Sequence, residues 1–385
     1  MKNAEKLLEA MGSIDDDLVM EAKAPRKWRH WAGWAAAACA AAALLAGVMG
    51  KQNTPSREID PDLPKLSVQF EESAQGFEGL MFYDIAESGD ANPWTGDAEL
   101  DKLPVYRNLA YSGIAGAPVY LTEDAMLALA QETANALGET ITSTKTEKIG
   151  GALYRLHGET ETGYIQVDGN GDIRIAFTEG AELPEGYRLA DGASREKAEA
   201  ALLWLVDRYS AVTGLADPAA DIWTDYTFSG SPSTRYKAYS MGADLTESIL
   251  NYNFSYVSFS GAYSGKVQYI DIRDRLSTAE LIGEYPILTV EEAREKLLKG
   301  EYLTTVPSDC LPEGKITADR IAKTELVYRT GSGEETYMPY YRFYVAIQEE
   351  NVTMAAGLQN YGVYYVPAVW EEYLTDIPVW DGSFN

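Results

Sequence analysis

Apolar residues recur at three- and four-residue intervals at the start of the chain, in the head formed by residues 1–30. This spacing predicts an amphipathic helix whose apolar stripe contains Leu7, Leu8, Met11, Ile14, Leu18 and Val19. A single helix of this length is marginally stable in water, so the stripe needs a protein partner, the membrane surface or a second copy. The predicted partner-binding face consists of Leu7, Met11, Ile14 and Leu18.

Three more helices are predicted from the same spacing and from the residues that bound them. The first covers residues 122–138 and the second residues 194–214, and each closes at a glycine. The third covers residues 289–300, where Thr289 and Glu292 have the spacing of a capping box.

Alternation of apolar and polar residues predicts strands after each of these three helices. The strands are expected at residues 152–157, 164–167, 173–177, 222–228, 233–239, 250–259, 266–272, 321–328, 340–347 and 361–366. A helix followed by a meander of strands, repeated three times, is typical of antiparallel sheets with helices on one face. The predicted fold class is therefore α+β.

One apolar stretch, residues 31–50, contains no ionisable side chain except Cys39. Twenty residues of helix span about 30 Å, which is the thickness of one hydrocarbon core. Its predicted anchoring residues are Trp31, Trp34, Leu44 and Leu45, with the two tryptophans at the depth of an aromatic belt. This stretch predicts a single transmembrane helix.

The basic residues flanking this stretch are concentrated on its N-terminal side. Lys23, Arg26, Lys27 and Arg29 precede it, whereas the following side is sparser. Because basic residues mark the cytoplasmic end of a membrane helix, the head is predicted to be cytoplasmic and the remaining chain extracellular. The predicted localisation is the cell membrane.

Two alternatives for the apolar stretch stay open. In the first, it is a cleaved secretory signal, and small residues near Ala43 or Gly47 suit a signal peptidase. In the second, it is a lipoprotein signal that ends at Cys39. The retained anchor is favoured because the leader before the stretch is long and the stretch exceeds a usual signal core. All three interpretations export the same domain.

Together these patterns divide the chain into a head, an anchor, a tether and three α+β units. The boundaries are 1–30, 31–50, 51–64, 65–190, 191–283 and 284–385.

The charge balance narrows the choice of partners. The chain has 32 basic and 59 acidic residues and a net charge of −27. The head holds equal numbers of each sign, so the whole acidic excess lies in the predicted outer part. Such a domain repels nucleic acid and anionic membrane surfaces, and no nucleic-acid partner is expected.

Cysteine and histidine usage limits the candidate chemistry. Cys39 lies in the predicted membrane segment and Cys310 lies outside it, so they form no structural disulfide. Cys310 is interpreted as a buried or idle thiol. His157 is the single histidine of the outer part, which excludes zinc sites built on two histidines there. His157 itself is interpreted as a strand-end residue rather than a general base.

A calcium loop is weighed against a hairpin turn at residues 168–179. Asp168, Asn170, Asp172 and Glu179 occupy the loop's ligand positions, but Ile173 replaces its central glycine. Asp-Gly-Asn-Gly between two alternating runs favours a hairpin. We therefore expect a turn, no metal and no cofactor.

Tyrosine is abundant, and three tyrosine-rich runs raise the question of a binding face. The runs are residues 252–256, 337–344 and 361–365. Tyrosine is also an ordinary strand residue, so sheet packing is preferred over a sugar- or peptide-binding face.

Two segments resemble known families. Residues 163–175 are similar to the strand–turn–strand of PepSY-like modules, and residues 285–298 resemble their helix entry. The arrangement also resembles the exported YycH/YycI-type regulators of Gram-positive bacteria, which act on a membrane histidine kinase. Residues 5–19 resemble the opening of single-pass, anti-sigma-factor-like proteins of the same bacteria. No catalytic residue comes with these resemblances.

The expected function is non-enzymatic. The sequence indicates a membrane-anchored protein that senses or regulates by protein contact across the envelope, with a cytoplasmic or membrane partner on the head and an extracellular ligand outside. One alternative is an anchored binder of peptides or glycans, including a protease inhibitor. Another is an envelope hydrolase, although no recognisable catalytic constellation supports it.

Overall fold

The computed structural model describes residues 58–68, 80–82, 91–111, 121–149, 152–226, 230–261, 265–331, 334–347 and 358–375. Contacts divide the chain into two units, and the second begins at Asp60. The head face (Leu7, Met11, Ile14, Leu18) and the anchor residues (Trp31, Trp34, Leu44, Leu45) lie outside the described residues. Among the residues that are described, no helix combines the length and apolar character needed to cross a membrane.

Five α-helices are found in the described part of the chain. They are α1 (Glu123–Leu137), α2 (Arg195–Arg208), α3 (Ser210–Thr213), α4 (Leu245–Phe254) and α5 (Val290–Lys299).

The strands of the same part are numbered in chain order. They are β1 (Leu66–Ser67), β2 (Leu80–Phe82), β3 (Lys102–Asn108), β4 (Ser143–Ile149), β5 (Ala152–Glu159), β6 (Gly163–Asp168), β7 (Ile173–Ala181), β8 (Pro218–Tyr226), β9 (Pro232–Ser240), β10 (Ser255–Ser260), β11 (Val267–Asp274), β12 (Ala279–Pro286), β13 (Ile321–Tyr328), β14 (Thr336–Tyr337), β15 (Pro339–Ala346), β16 (Asn360–Pro367) and β17 (Leu374–Thr375).

The largest sheet has eight antiparallel strands in the order β4-β5-β6-β7-β11-β10-β9-β8. It consists of two meanders, β4–β7 and β8–β11, whose last strands pair at the centre, with Ile175 opposite Ile270. The α+β class with mostly antiparallel sheets is confirmed. Strands from both sides of the predicted unit boundary after residue 190 belong to this one sheet. The unit boundaries themselves stay predictions.

Helices α1 and α2 cover one face of this sheet. Met126, Ala130 and Ala134 of α1 and Leu202 and Leu205 of α2 are buried against inward-facing strand residues, which include Ile165, Val167, Ile175, Val257 and Ile270. Each fully buried large aliphatic side chain stabilises the fold by about 1.5–3 kcal/mol. The apolar residues at helical spacing in the sequence are therefore the ones that contact the core.

Three smaller sheets complete the unit: β13-β15-β16-β2, β12-β3-β14 and the parallel pair β1-β17. The tyrosines of the runs at residues 337–344 and 361–365 are mostly buried in this region. Their neighbour Tyr328 donates a hydrogen bond to the Pro104 carbonyl at 2.8 Å, and Tyr341 donates to the Leu288 carbonyl at 2.7 Å. The prediction that these two runs serve sheet packing is confirmed, whereas Tyr252 of the third run lies in α4.

Local capping signals located two helices correctly. Thr122 and Gly138 cap α1, and Thr289 forms the predicted capping box with Glu292 before α5. The second predicted helix is divided: α2 ends at Arg208, Tyr209 leaves helical geometry, and α3 follows.

The strand predicted at residues 250–259 was wrong in its first half. Residues 245–254 form α4, and the strand begins at Ser255. Asp244 caps the helix by accepting a hydrogen bond from the Glu247 backbone N–H at 2.8 Å. Ile249 and Tyr252 are buried at helical spacing. The strand that follows from Ser255 has alternating residues, and this alternation led to the prediction of a strand over the whole segment.

The end of the predicted tether contacts the folded unit. The Asp60 backbone N–H donates to the Tyr373 hydroxyl at 2.7 Å, and the Tyr285 hydroxyl donates to the Pro64 carbonyl at 2.7 Å. The chain is therefore already part of the fold at Asp60.

Candidate functional site

A cleft of about 650 Å³ opens where the C-terminal ends of α1, α2 and α3 meet the outer part of β7. This volume is typical of ligand pockets. The cleft is lined by Ala136, Leu137, Glu139, Glu161, Thr162, Phe177, Thr178, Glu179, Gly180, Ala181, Arg208, Tyr209, Ala211 and Val212.

One wall is a bulge in β7. Ala176 pairs with Tyr269 and Ala181 pairs with Val267, so residues 177–180 stand opposite the single residue Gln268. Extra residues on one strand bend it away from its partner, and such bulges often border functional sites. The bulge requires a glycine because Gly180 has φ +70°, a left-handed conformation that side chains with a Cβ rarely adopt.

The opposite wall is made by helix ends. α1 stops at Gly138, whose positive φ of 76° lets its N–H return to the Asn135 carbonyl. Tyr209 separates α2 from α3 with φ −106° and ψ 20°. The last residues of α1 and α2, which are Ala136, Leu137 and Arg208, therefore line the cleft.

Aromatic rings provide the apolar part of the cleft. The rings of Phe177 and Tyr209 lie 6.1 Å apart, and Tyr209 contacts Phe259 at 6.3 Å behind them. Burial raises the pKa of Tyr209, although nearby Arg208 opposes the shift. The Tyr209 hydroxyl therefore stays protonated at neutral pH and is available as a hydrogen-bond donor.

The polar part of the cleft is dominated by acids. Glu139, Glu161 and Glu179 contribute three carboxylates against the single guanidinium of Arg208. Helix C-termini add partial negative charge, and the last turn of α1 holds no basic residue to offset it. The arrangement attracts cationic groups.

Glu139 has one oxygen in use and one unused. Its Oε1 accepts a hydrogen bond from the Thr162 hydroxyl, which holds the carboxylate in place. Its Oε2 is buried and, within the described residues, has no hydrogen-bond partner. An unpartnered buried carboxylate oxygen is costly, so a donor that reaches it gains binding free energy.

The predicted hairpin at residues 168–172 is confirmed, since β6 and β7 pair on either side of it. Asp168 accepts from Arg155 Nε at 2.7 Å, and Asp172 accepts from Arg275 Nη2 at 2.7 Å. These carboxylates are thus engaged by arginines. No group of three or more metal-ligating side chains occurs among the described residues.

On the sheet face away from the helices, ion pairs surround a small cavity of about 140 Å³. Arg174 Nε lies 2.6 Å from Asp271 Oδ1, in addition to the pairs made by Arg155 and Arg275. Each charged side chain that lines this cavity lies within 4.0 Å of an opposite charge. This cavity is therefore a weaker binding candidate than the cleft.

The two remaining sequence candidates are separate from the cleft. His157 Nε2 lies 3.1 Å from Glu159 Oε1, and its ring packs 4.4 Å from Tyr164. Cys310 is buried as interpreted, and burial is the main cause of the raised pKa of its thiol. Glu161, four residues after His157 in the sequence, lines the cleft.

Sequence reasoning missed the cleft. The sequence pattern indicates Glu179 only as a possible calcium ligand, and it gives no functional signal at Glu139, Phe177 or Tyr209. The one local signal was Gly180 at the end of an alternating run, which is typical of a bulge. A local sequence pattern does not predict that helix ends from distant segments will lie next to each other.

The chain matches no family model, no curated protein and no solved structure. The resemblance to PepSY-like modules therefore stays a prediction based on residues 163–175 and 285–298.

Proposed function

We propose that this protein is a membrane-anchored, non-enzymatic sensor or regulator that acts by protein contact across the envelope. Residues 1–30 contact a cytoplasmic or membrane partner, residues 31–50 span the membrane, and the folded unit from Asp60 binds an extracellular ligand in the cleft. The uncharged run of residues 31–50 behind a basic flank is the observation that carries the proposal.

The cleft supports the binding half of this proposal. It has the volume of a ligand pocket, an aromatic floor and polar groups at its rim. Its lining residues include neither histidine nor cysteine, and they offer groups that hold a ligand rather than an activated nucleophile.

The head supports the signalling half. A helix with an apolar face and no core of its own needs a partner, whereas a protein that is only anchored for retention does not need that face. The second candidate function, an anchored binder of peptides or glycans, is favoured by the cleft alone.

The head therefore provides the test. Met11→Asp or Ile14→Asp places a carboxylate in the centre of the predicted apolar face, and burying it unpaired costs several kcal/mol. We expect the full-length wild type to co-purify with a cytoplasmic protein, or with the cytoplasmic part of a membrane kinase, and the charged variants to lose it.

Ser13→Asp is the matched control, because helical spacing places position 13 on the other side of the predicted helix. It adds the same charge and should keep the partner. If the wild type captures nothing that Met11→Asp does not, the regulatory role is wrong and the anchored binder replaces it.

A further inference from the structure

We propose that the cleft binds a peptide segment in which a lysine or arginine lies next to an apolar or aromatic side chain. The inference rests on the proposed function, since it names the ligand class of the outer unit. It depends on the cleft's two halves, one apolar and one acidic, lying within one cavity of about 650 Å³.

The apolar half selects a hydrophobic side chain. Phe177 and Tyr209 present tilted rings 6.1 Å apart, and Leu137 and Val212 extend this surface. Aromatic and aliphatic groups stack against such rings with favourable edge or offset contacts. A ligand with only polar groups would leave this surface in water.

The acidic half selects a cation. Glu139, Glu161 and Glu179 outnumber Arg208, and the C-terminus of α1 adds to the negative potential. Glu139 lines this half of the cleft, and within the described residues its Oε2 has no hydrogen-bond partner. A ligand ammonium or guanidinium in the cleft would offset the excess negative charge of these carboxylates.

The polar groups that remain favour a peptide over a free amine or a glycan. Arg208 offers donors to carbonyl oxygens, and the Thr178 hydroxyl can donate or accept. The Thr162 hydroxyl donates to Glu139 and can still accept. A peptide can bind the carboxylates, the Arg208 guanidinium and the threonine hydroxyls at once, whereas a free amine has no carbonyl for Arg208 to bind. A neutral glycan can donate hydroxyl hydrogen bonds to the carboxylates but brings no positive charge to offset theirs.

The test uses full-length protein in detergent and isothermal titration calorimetry with short synthetic peptides. The probe is acetyl-Gly-Phe-Lys-Gly-amide, and the comparison peptides replace its lysine with glutamate or its phenylalanine with alanine. We expect the probe to bind at least tenfold more tightly than either comparison peptide. Its affinity should fall as salt is raised, because charge attraction contributes.

Variants assign this binding to the cleft. Glu139→Gln removes a cleft charge and should weaken probe binding about tenfold. Glu199→Gln removes an exposed charge from α2 outside the cleft and should leave binding unchanged. Equal affinities for the two variants, or equal binding of the lysine and glutamate peptides, would overturn the proposal.

Phenethylamine tests whether a small free amine with an aromatic ring, rather than a peptide, occupies the cleft. If this free amine binds as tightly as the probe, a small amine is the occupant and the peptide proposal is wrong. The two proposals can be tested separately. If the peptide does not bind as expected but the head still captures its partner, only the proposed ligand class is wrong. If the peptide binds but the head captures no partner, only the regulatory role is wrong.

Discussion

Glu325 is a buried carboxylate enclosed by cationic and hydroxyl groups. Its Oε2 accepts from Arg342 Nη2 at 2.6 Å and from the Tyr344 hydroxyl at 2.8 Å, and its Oε1 lies 2.9 Å from Lys323 Nζ. The residue is 4% exposed. Such a network stabilises the fold only while every member keeps its partners.

The protonation of Glu325 follows from a competition between two effects. Burial alone would raise its pKa, but attraction by Arg342 and Lys323 outweighs burial and lowers the pKa from 4.5 to about 2. Because the folded-state pKa is the lower one, the contribution to stability is complete above about pH 5 and is lost as the pH falls toward 2.

We expect Glu325→Gln to lower the free energy of unfolding by about 3–5 kcal/mol at pH 7, because Arg342 and Lys323 lose their buried counter-charge. The loss of stability between pH 5 and pH 2 should also be smaller in this variant than in the wild type. Urea unfolding followed by circular dichroism at several pH values measures both effects.

Glu280→Gln is the control for this substitution. Glu280 pairs with Arg107 at 2.7 Å, but both side chains are 57% exposed, so the pair contributes little. The control should change stability by less than about 1 kcal/mol. Similar losses in the two variants would contradict the account of a tightly coupled buried network.

Among the elements, the bulge of β7 forms the cleft wall and has a specific backbone requirement. Gly180 has φ +70°, and a Cβ added there would lie 3.0 Å from side-chain atoms of Lys266. Lys266 holds this region by donating to the Glu179 carbonyl at 3.1 Å and pairing with Glu182 at 2.8 Å. Strain at this position would therefore act on the cleft directly.

We expect Gly180→Ala to destabilise the protein by about 1–2 kcal/mol, because a left-handed conformation is unfavourable for alanine. Gly186→Ala is the matched control, since a Cβ there meets nothing within 4 Å and its φ is not in the left-handed range. Loss of conformational freedom in the unfolded chain should make the control neutral or slightly stabilising. Equal urea midpoints for the two variants would disprove the strain argument.

Elements defined by local signals were predictable from the sequence. The ends of α1 and α5 were located because a capping residue and a following glycine act within one helical turn. The strand at Ile321–Tyr328 was located because its period is local as well. In contrast, α4 was missed because its helical spacing covers few residues before the strand begins at Ser255.

The candidate site was not predictable for a related reason. It depends on α1, α3 and the β7 bulge meeting, and these come from separate segments of the chain. The central pairing of β7 with β11 joins the last strands of two meanders, which is also a long-range contact. Periodicity determines which residues face a core, but it contains no information on which elements become neighbours.

At the scale of the whole molecule, the eight-stranded sheet has two differently used halves. In the second half, β9 directs Ala238 toward the α2 side and Tyr239 toward the core shared with the four-stranded sheet. In the first half, α1 covers one face, and ion pairs such as that of Arg155 with Asp168 occupy the other. The cleft lies at the edge of the helix-covered face, next to the bulged end of β7.

Membrane topology is the whole-molecule property on which the proposed function depends. Ser13→Cys places a thiol in the head, and Leu281→Cys places one in the folded unit, where Leu281 is 55% exposed. The wild type is the background control, because Cys310 is buried and Cys39 lies in the apolar stretch.

We expect a membrane-impermeant maleimide to label the Leu281→Cys variant on intact cells. The Ser13→Cys variant should be labelled only after permeabilisation, because a basic flank favours a cytoplasmic location for the head. The labelled chain should keep its full mass of 42.3 kDa and stay with the membrane fraction. A shorter, soluble product lacking the head would show signal cleavage. Labelling of both variants from outside would reverse the assignment of the head, and a regulator that acts across the envelope through that head would then be excluded.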